Sequence, residues 1–406
     1  MPTRWANLDE RRASIVSAVM IALGPLSLSL YTPALPELVS VFHTTPAAVK
    51  LSLTLYFLGF CLAQLVSGPL SDAFGRRPVA LGFFMIYLVG SLIALIAPTI
   101  FVMQAGRALQ GIGAAAGVSA SRALVRDLFV GQASARIMNR IGLIVGFVPA
   151  FAPAVGSWLL AGVGWRSIFV VMFLYAIAVV AMVTLLVPET NQNPDRSLIE
   201  PRRFAKNYWT LLTDRRFIGP AGLMGVVLGG VYTLPTILPF VLIERLGLTP
   251  VQYGLVMIIQ TGALLVGNFI VGRMLRVMSA RRLVPYGIVI TLLAGVGFAA
   301  IRIAGANHLL AFVIPASIWI FGIPFITPGT MTSALSHFPK IAGAASAMIG
   351  FLQMGGGFAG SAIAAAAFGD PVTAIDTLLP TLSVLAAALY LILPKEPGQP
   401  LADDED

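Results

Sequence analysis

Residues Pro98–Val125 read PTIFVMQAGRALQGIGAAAGVSASRALV. The stretch is expected to cross a membrane, yet Arg107 lies well inside it. A guanidinium stays charged at any relevant pH, and placing it at bilayer depth costs at least ~2.5–3.5 kcal/mol on insertion scales. A helix that carries such a residue turns it toward protein or toward a water-filled interior. Two roles follow for Arg107: a group that meets substrate or couples protons, or a structural arginine satisfied by carbonyls or by Gln110.

The whole chain matches that stretch. Hydrophobic residues make up 58% of the 406 residues and charged residues 11%, and the mean hydropathy is +0.90. Soluble domains carry about 25% charge, so this composition specifies a polytopic all-α membrane protein whose solvent is the lipid bilayer. The net charge of +9 does not indicate nucleic acid, because the basic residues lie in short runs between apolar segments. The single cysteine, Cys61, sits in an apolar segment and excludes an intrachain disulfide.

At ~20 residues per span the sequence predicts twelve transmembrane helices. They fall near residues 13–34, 47–70, 78–97, 99–123, 135–160, 165–187, 217–243, 250–274, 283–303, 308–331, 341–368 and 373–394. The domain organisation expected is an N-terminal segment 1–12, a six-helix half 13–187, a polar linker 188–216, a second half 217–394 and an acidic tail 395–406. The first apolar run is too long for a signal-peptide core and ends in Tyr31-Thr32-Pro33-Ala34-Leu35-Pro36, so it reads as a retained span. Lysine and arginine divide 21 to 4 between the two sides, with Arg107 in between. Positive residues mark the cytoplasmic side, which puts both termini, the linker and the tail there.

The halves echo each other. Gly68-Pro-Leu-Ser-Asp72-Ala-Phe-Gly75-Arg76-Arg77 follows span two, and Gly272-Arg-Met-Leu-Arg-Val-Met-Ser-Ala-Arg281-Arg282 follows span eight. Both open with glycine and close with Arg-Arg, though the second is one residue longer and has no acid. Parallel repeats of this kind place a binding site between the halves near the midplane. In the first loop, Gly68 and Gly75 suit close approach and tight turning. Asp72 suits capping of a neighbouring helix N-terminus, and Arg76 or Arg77 suits pairing with Asp127. A plain topogenic loop is the alternative.

The loop Gly68–Arg77 resembles the cytoplasmic signature of the major facilitator superfamily, and Arg107-Ala-Leu-Gln110-Gly111 resembles that family's span-four signature. Span five, with Gly146, Pro149, Pro153 and Gly156, is similar to the family's exporter signature, although Ala152 and Ser157 stand where two glycines belong. Tyr31-Thr-Pro-Ala-Leu-Pro36 and Trp165-Arg166-x-x-Phe169 resemble the Bcr/CflA group of multidrug exporters. The resemblance covers the first half and is weaker in the second. It implies the major facilitator fold, and transport by a drug-resistance antiporter: proton-coupled efflux of small molecules across a bacterial inner membrane by a monomer with no cofactor and no metal. Members of the group often carry an acid where this chain has Ser29, and no Asp, Glu, Lys or His lies deep within the predicted spans.

Residues expected to line the substrate or proton pathway are Ser29, Tyr31, Tyr56, Gln64, Arg107, Gln110, Tyr232, Gln260, Asn268, Trp319 and Gln353. Each has an alternative as an interhelical hydrogen-bonding group or a belt aromatic. The gate and conformational switch is expected at Gly68, Asp72, Gly75, Arg76, Arg77, Asp127, Pro149, Pro153 and Gly156. Gly355, Gly356, Gly357 and Gly360 mark span eleven as a close-packing helix. A narrower exporter, of a siderophore, sugar or nucleoside, is the alternative within transport. A membrane enzyme would need a convergent His or carboxylate cluster, a receptor would not need the loop repeat, and no Gly-Lys-Ser or Gly-Lys-Thr for a P-loop exists in the chain.

Overall fold

The computed structural model of the chain describes residues 9–393 except 130 and 192. The start of the N-terminal segment and the acidic tail 395–406, with Lys395, lie outside the described residues. Among those described, twelve helices have 20 residues or more. In the first half these are α1 (Glu10–Ser29), α2 (Pro46–Phe74), α3 (Arg76–Leu95), α4 (Ile100–Leu128), α5 (Gly131–Val163) and α6 (Trp165–Leu186). In the second they are α7 (Arg215–Pro239), α8 (Pro250–Met274), α9 (Ala280–Ala304), α10 (Leu309–Ser336), α11 (Ala342–Ala366) and α12 (Pro371–Ile392). At ~1.5 Å per residue each spans a hydrocarbon core. Eleven are also apolar enough for it. The exception is α4, interrupted by Gln104, Arg107 and Gln110 and ending in Arg122, Arg126 and Asp127.

The helix starts are written locally. Thr45 Oγ1 accepts from Ala48 N at 3.2 Å with Pro46 next in line. Thr249 and Gln252 form a reciprocal cap at α8, again followed by proline. A threonine or aspartate followed by proline satisfies an orphan N–H and presets the first φ. The Thr-Pro pairs of α2 and α8 are separated by the same offset as Gly68 and Gly272, a second trace of the repeat. Past Ser29 the chain turns through Thr32–Ala34 into a short helix, Leu35–Val41; the expected first span therefore ends earlier. Inside the linker the structure has a helix that the charge-rich reading did not show, Pro201–Thr213. Its apolar residues Phe204, Tyr208 and Leu211 recur at helical spacing; Tyr208 and Leu211 are buried, and Tyr208 Oη donates to Leu65 O at 2.6 Å.

Two apolar cores separate the halves. One gathers Tyr31, Phe57, Phe84 and Phe169 from the first six helices with their connections; the other gathers Tyr253, Phe298, Phe312 and Trp319 from the last six. In the first core Arg107 is wholly buried. Its Nη1 donates to Gln110 Oε1 at 2.6 Å and to Ser27 Oγ at 3.0 Å. The guanidinium lies between the rings of Tyr56 and Tyr31, at 4.4 and 4.6 Å from their centroids. Gln110 passes the network on, donating to Ser91 Oγ at 2.8 Å.

This cluster is possible because α2 and α4 touch backbone to backbone. A Cβ on Gly111 would lie 2.0 Å from Tyr56 O, whereas one on Gly68 would meet nothing within 4 Å. The close approach expected of Gly68 therefore falls to Gly111. Gly111→Ala forces the helices apart and costs on the order of 1–3 kcal/mol as overpacking. Gly68→Ala has room and gains helix propensity, roughly 0.5–1 kcal/mol. Thermal unfolding of the purified variants is expected to show a clear drop in midpoint for the first and no drop for the second.

Candidate functional site

Between the halves lies a cavity of about 470 Å³. Its wall comes from α1, α2, α4 and α5 on one side and from α7, α8, α10 and α11 on the other, the same four positions in each half. Pro25 and Pro235 stand within α1 and α7 in this wall, and Pro149 and Pro153 within α5. Away from the linker, the cavity ends among buried Thr32, Leu238 and Tyr253. Toward the linker it reaches the exposed Arg122. The closed end is sealed by contacts between halves. Across the seam the Thr54 and Ser361 hydroxyls meet at 2.8 Å and Lys50 Nζ lies 5.0 Å from the Phe240 ring centroid; within the second half Thr236 Oγ1 donates to Ser361 Oγ at 3.0 Å and holds that hydroxyl in place.

Six residues expected in the pathway line this cavity: Ser29, Tyr56, Gln64, Tyr232, Gln260 and Gln353. Five do not. Arg107 and Gln110 sit behind the wall, with the Tyr56 ring between Arg107 and the cavity side. Tyr31 is buried in the first core, its hydroxyl 2.8 Å from Ser52 Oγ. Trp319 fills the second core against Gly230 and donates to Val227 O at 3.2 Å. Asn268 is exposed on α8. Two prolines assigned to the gate, Pro149 and Pro153, are wall residues as well. Gly156 instead abuts Leu30 O, which a Cβ would approach to 2.2 Å. Of the span-eleven glycines, Gly356 meets Gly225 and Gly229 and Gly360 meets Thr233, while Gly355 has no close neighbour.

Sequence reading missed Arg122, Tyr253 and the wall methionines, which include Met224, Met257, Met331 and Met354. Arg122 falls at the end of the predicted span 99–123, where a basic residue reads as a topology signal; α4 runs on to Leu128, so Arg122 stands more than a turn inside the helix and in the wall. Spacing offers one signal that was available: Arg122 and Val118 are four apart and share a face.

On the linker face a polar network joins the ends of α2, α3, α4 and α6. Arg76 pairs with Asp72 and, through Nε at 3.0 Å, with Asp127. Gly75 ends α2 with φ +106°, the tight turn expected of it, in a conformation that favours glycine. Asp72 does not cap a neighbouring helix: its carboxylate is taken by Arg76. The cap comes from the linker, where Glu189 accepts from Arg76 N at 2.9 Å and Arg77 N at 3.1 Å. Thr190 Oγ1 donates to Asp127 at 2.9 Å and Asn191 Nδ2 to Asp72 O at 2.8 Å. Arg77 reaches Thr184 O. Further along, the Asp195 carboxyl is held below the usual carboxylate range by hydrogen bonds from Ser197 and by Arg203.

Known proteins resemble this arrangement along nearly its full length. An MFS-type transporter of Bacillus subtilis (strain 168), YdgK, is 30% identical over 348 residues, covering 85% of this chain and 86% of its own. A bicyclomycin resistance protein homolog of Haemophilus influenzae is 26% identical over 92% of both chains. Multidrug resistance protein MdtL of Escherichia coli O81 is 25% identical, over 97% of this chain and 98% of its own. Among solved structures, a D-xylose-proton symporter superposes with a TM-score of 0.68 at 16% identity, covering 94% of this chain and 97% of that one. The sequence model of the Major Facilitator Superfamily matches residues 17–361. With twelve long helices, a cavity between two six-helix halves and this match, the chain is a membrane transport protein and belongs to the Major Facilitator Superfamily.

Proposed function

We propose that this protein is a secondary active exporter of small amphipathic compounds, of the Bcr/CflA kind, and that it works by alternating access. The moving bodies are residues 13–187 and 217–394. The observation that carries the reading is the cavity, built from four matched helices of each half, closed at one end and reaching solvent at the other. Its wall is rich in methionine and aromatic side chains, with amides from Gln64, Gln260 and Gln353. Adaptable thioethers and a few hydrogen-bonding groups suit varied amphipathic ligands. The resistance names of two relatives support the direction of transport. The 21-to-4 charge division supports a linker face in the cytoplasm, so that the open end faces inward in a bacterial inner membrane. The protein acts as a monomer.

Export against a gradient draws on protons. Among the described residues the wall holds no aspartate, glutamate, lysine or histidine, which puts the titrating group outside it. Candidates are Asp72 and Asp127 on the linker face and Glu37, Glu244 and the buried Asp376 toward the other. Arg107 acts at one remove, by holding Tyr56 in the wall.

In cells expressing the chain, efflux of a chemically varied panel of lipophilic compounds is expected to exceed that of empty-vector cells and to stop on addition of a protonophore. Efflux that survives the protonophore would remove the antiport step; no difference from empty vector for any compound would remove the exporter reading. Reporter fusions after Lys395 are expected to be active only with a cytoplasmic reporter, and a periplasmic signal would invert the orientation. For the gate, Asp72→Asn leaves Asp127 as the one carboxylate paired with Arg76 among the described residues, beside the Ser71 hydroxyl. At these partly exposed positions the pair is worth about 0.2–1 kcal/mol, so abundance in the membrane is expected to hold. Turnover is expected to fall several-fold while substrate affinity changes less. Wild-type turnover at equal abundance would reduce the loop to a topology signal.

A further inference from the structure

The cavity wall contains one charged residue, Arg122. Its Nη1 donates to Ser346 Oγ at 3.1 Å across the seam between halves. No ion pair with a carboxylate accompanies that bond among the described residues. A guanidinium has five N–H donors, so most of its capacity is left for a guest. A second donor waits in the same wall. Gln260 is 5% exposed, and its Nε2 finds no acceptor among the described residues. Buried polar groups are normally satisfied, and one left open on a cavity wall is satisfied by what enters. Behind the wall, about four helical turns away on α4, the buried charge has the same sign: Arg107 lies 4.4 Å from the Tyr56 ring centroid, with Nε and Nη2 finding no partner among the described residues. The remaining surface, including Phe57, Phe60, Met257 and Met354, accepts an apolar body.

From these observations we infer that the cavity is a binding site for amphipathic organic anions, with Arg122 and Gln260 as the specificity-determining residues: an aromatic or aliphatic body lies on the methionine and phenylalanine wall, and a carboxylate or other acceptor group is held by the arginine and the amide. The inference rests on the exporter reading above and names its substrate class. A guanidinium with no carboxylate partner among the described residues, at the open end of an otherwise apolar cavity, favours an anion over a neutral isostere and disfavours a cation. Charge-assisted bonds to guanidinium are about twice as strong as neutral ones, and the planar fork suits a carboxylate.

The test uses the full-length protein in lipid nanodiscs and three probes with one body: biphenyl-4-carboxylate, biphenyl-4-carboxamide and biphenyl-4-methylammonium. Binding is measured by calorimetry, with empty nanodiscs subtracted. The carboxylate is expected to bind about 10-fold tighter than the carboxamide, a difference of ~1.4 kcal/mol, and the ammonium most weakly. Arg122→Gln is expected to erase the carboxylate preference and Arg122→Lys to keep most of it, which separates charge from folding. Gln260→Leu is expected to weaken carboxylate and carboxamide alike, about 5-fold. Equal affinities in the wild type, an ammonium preference, no binding of any probe, or a carboxylate preference that survives Arg122→Gln overturns the inference. Flux of the same probes in proteoliposomes with an imposed proton gradient separates the two readings. Carboxylate binding without movement removes the exporter and leaves the site; equal movement of all three probes leaves the exporter and removes the anion preference.

Discussion

A cation without a counter-ion organises the first half of this protein. Among the described residues no carboxylate pairs with Arg107, and its desolvation is offset by neutral groups: two tyrosine faces, a serine and a glutamine. Each comes from a different place. Ser27 belongs to α1, Tyr31 to the turn after it, Tyr56 to α2 and Gln110 to α4, and Gln110 in turn holds Ser91 of α3 and contacts Met172 of α6 at 3.6 Å. One charge thereby ties five helices to a common centre. Cation–π contacts gain strength when desolvated, to roughly 2 kcal/mol or more, so the low dielectric that makes the charge costly also strengthens its cage. Because Tyr56 shows its other side to the cavity, and its hydroxyl is fixed to Gly24 O at 2.9 Å, the buried charge sets the shape of the wall.

How far the sequence could be read follows from what periodicity and composition report. The twelve helices were legible to within a few residues, because apolar length and the polar breaks between spans are properties of the chain itself. The linker helix Pro201–Thr213 was not, since the three residues of its inner face, Phe204, Tyr208 and Leu211, are interleaved with Arg202, Arg203 and Lys206. Pathway residues were half legible. A polar side chain in a span must turn from lipid, but sequence does not say whether it turns to its own half or to the partner half. Tyr31, Trp319 and Gln110 turn inward to their own cores; Tyr56, Tyr232 and Gln260 turn to the seam. Arg122 went unrecognised because a basic residue near a span end carries a topological meaning that masks any other. Glu189 went unrecognised because its role as a cap depends on the chain returning to the α3 N-terminus after three further helices.

The distribution of strong and weak contacts suits a molecule of two moving parts. The ion pairs of Arg76, Arg126, Arg136 and Arg140 lie within the first half, and that of Arg203 within the linker. Contacts across the seam are of another kind: hydroxyl pairs at Thr54 and Ser361, Gly254 resting on Ala154, Gly357 against Phe57, and Lys50 over Phe240. A neutral hydrogen bond nets only ~0.5–1.5 kcal/mol, because water replaces the partner when it breaks. An ion pair at the same depth would leave two stranded charges on opening, at several kcal/mol each. In the alternating-access reading proposed above, a seam of hydroxyls and glycine contacts parts at one end and meets at the other at a cost of a few such bonds. Near the seam Lys50 lies over the Phe240 ring and feels the charges of Glu244 and Asp370 of the other half without a direct ion pair among the described residues, and Arg122 meets a hydroxyl; these contacts can be given up to water or to a guest.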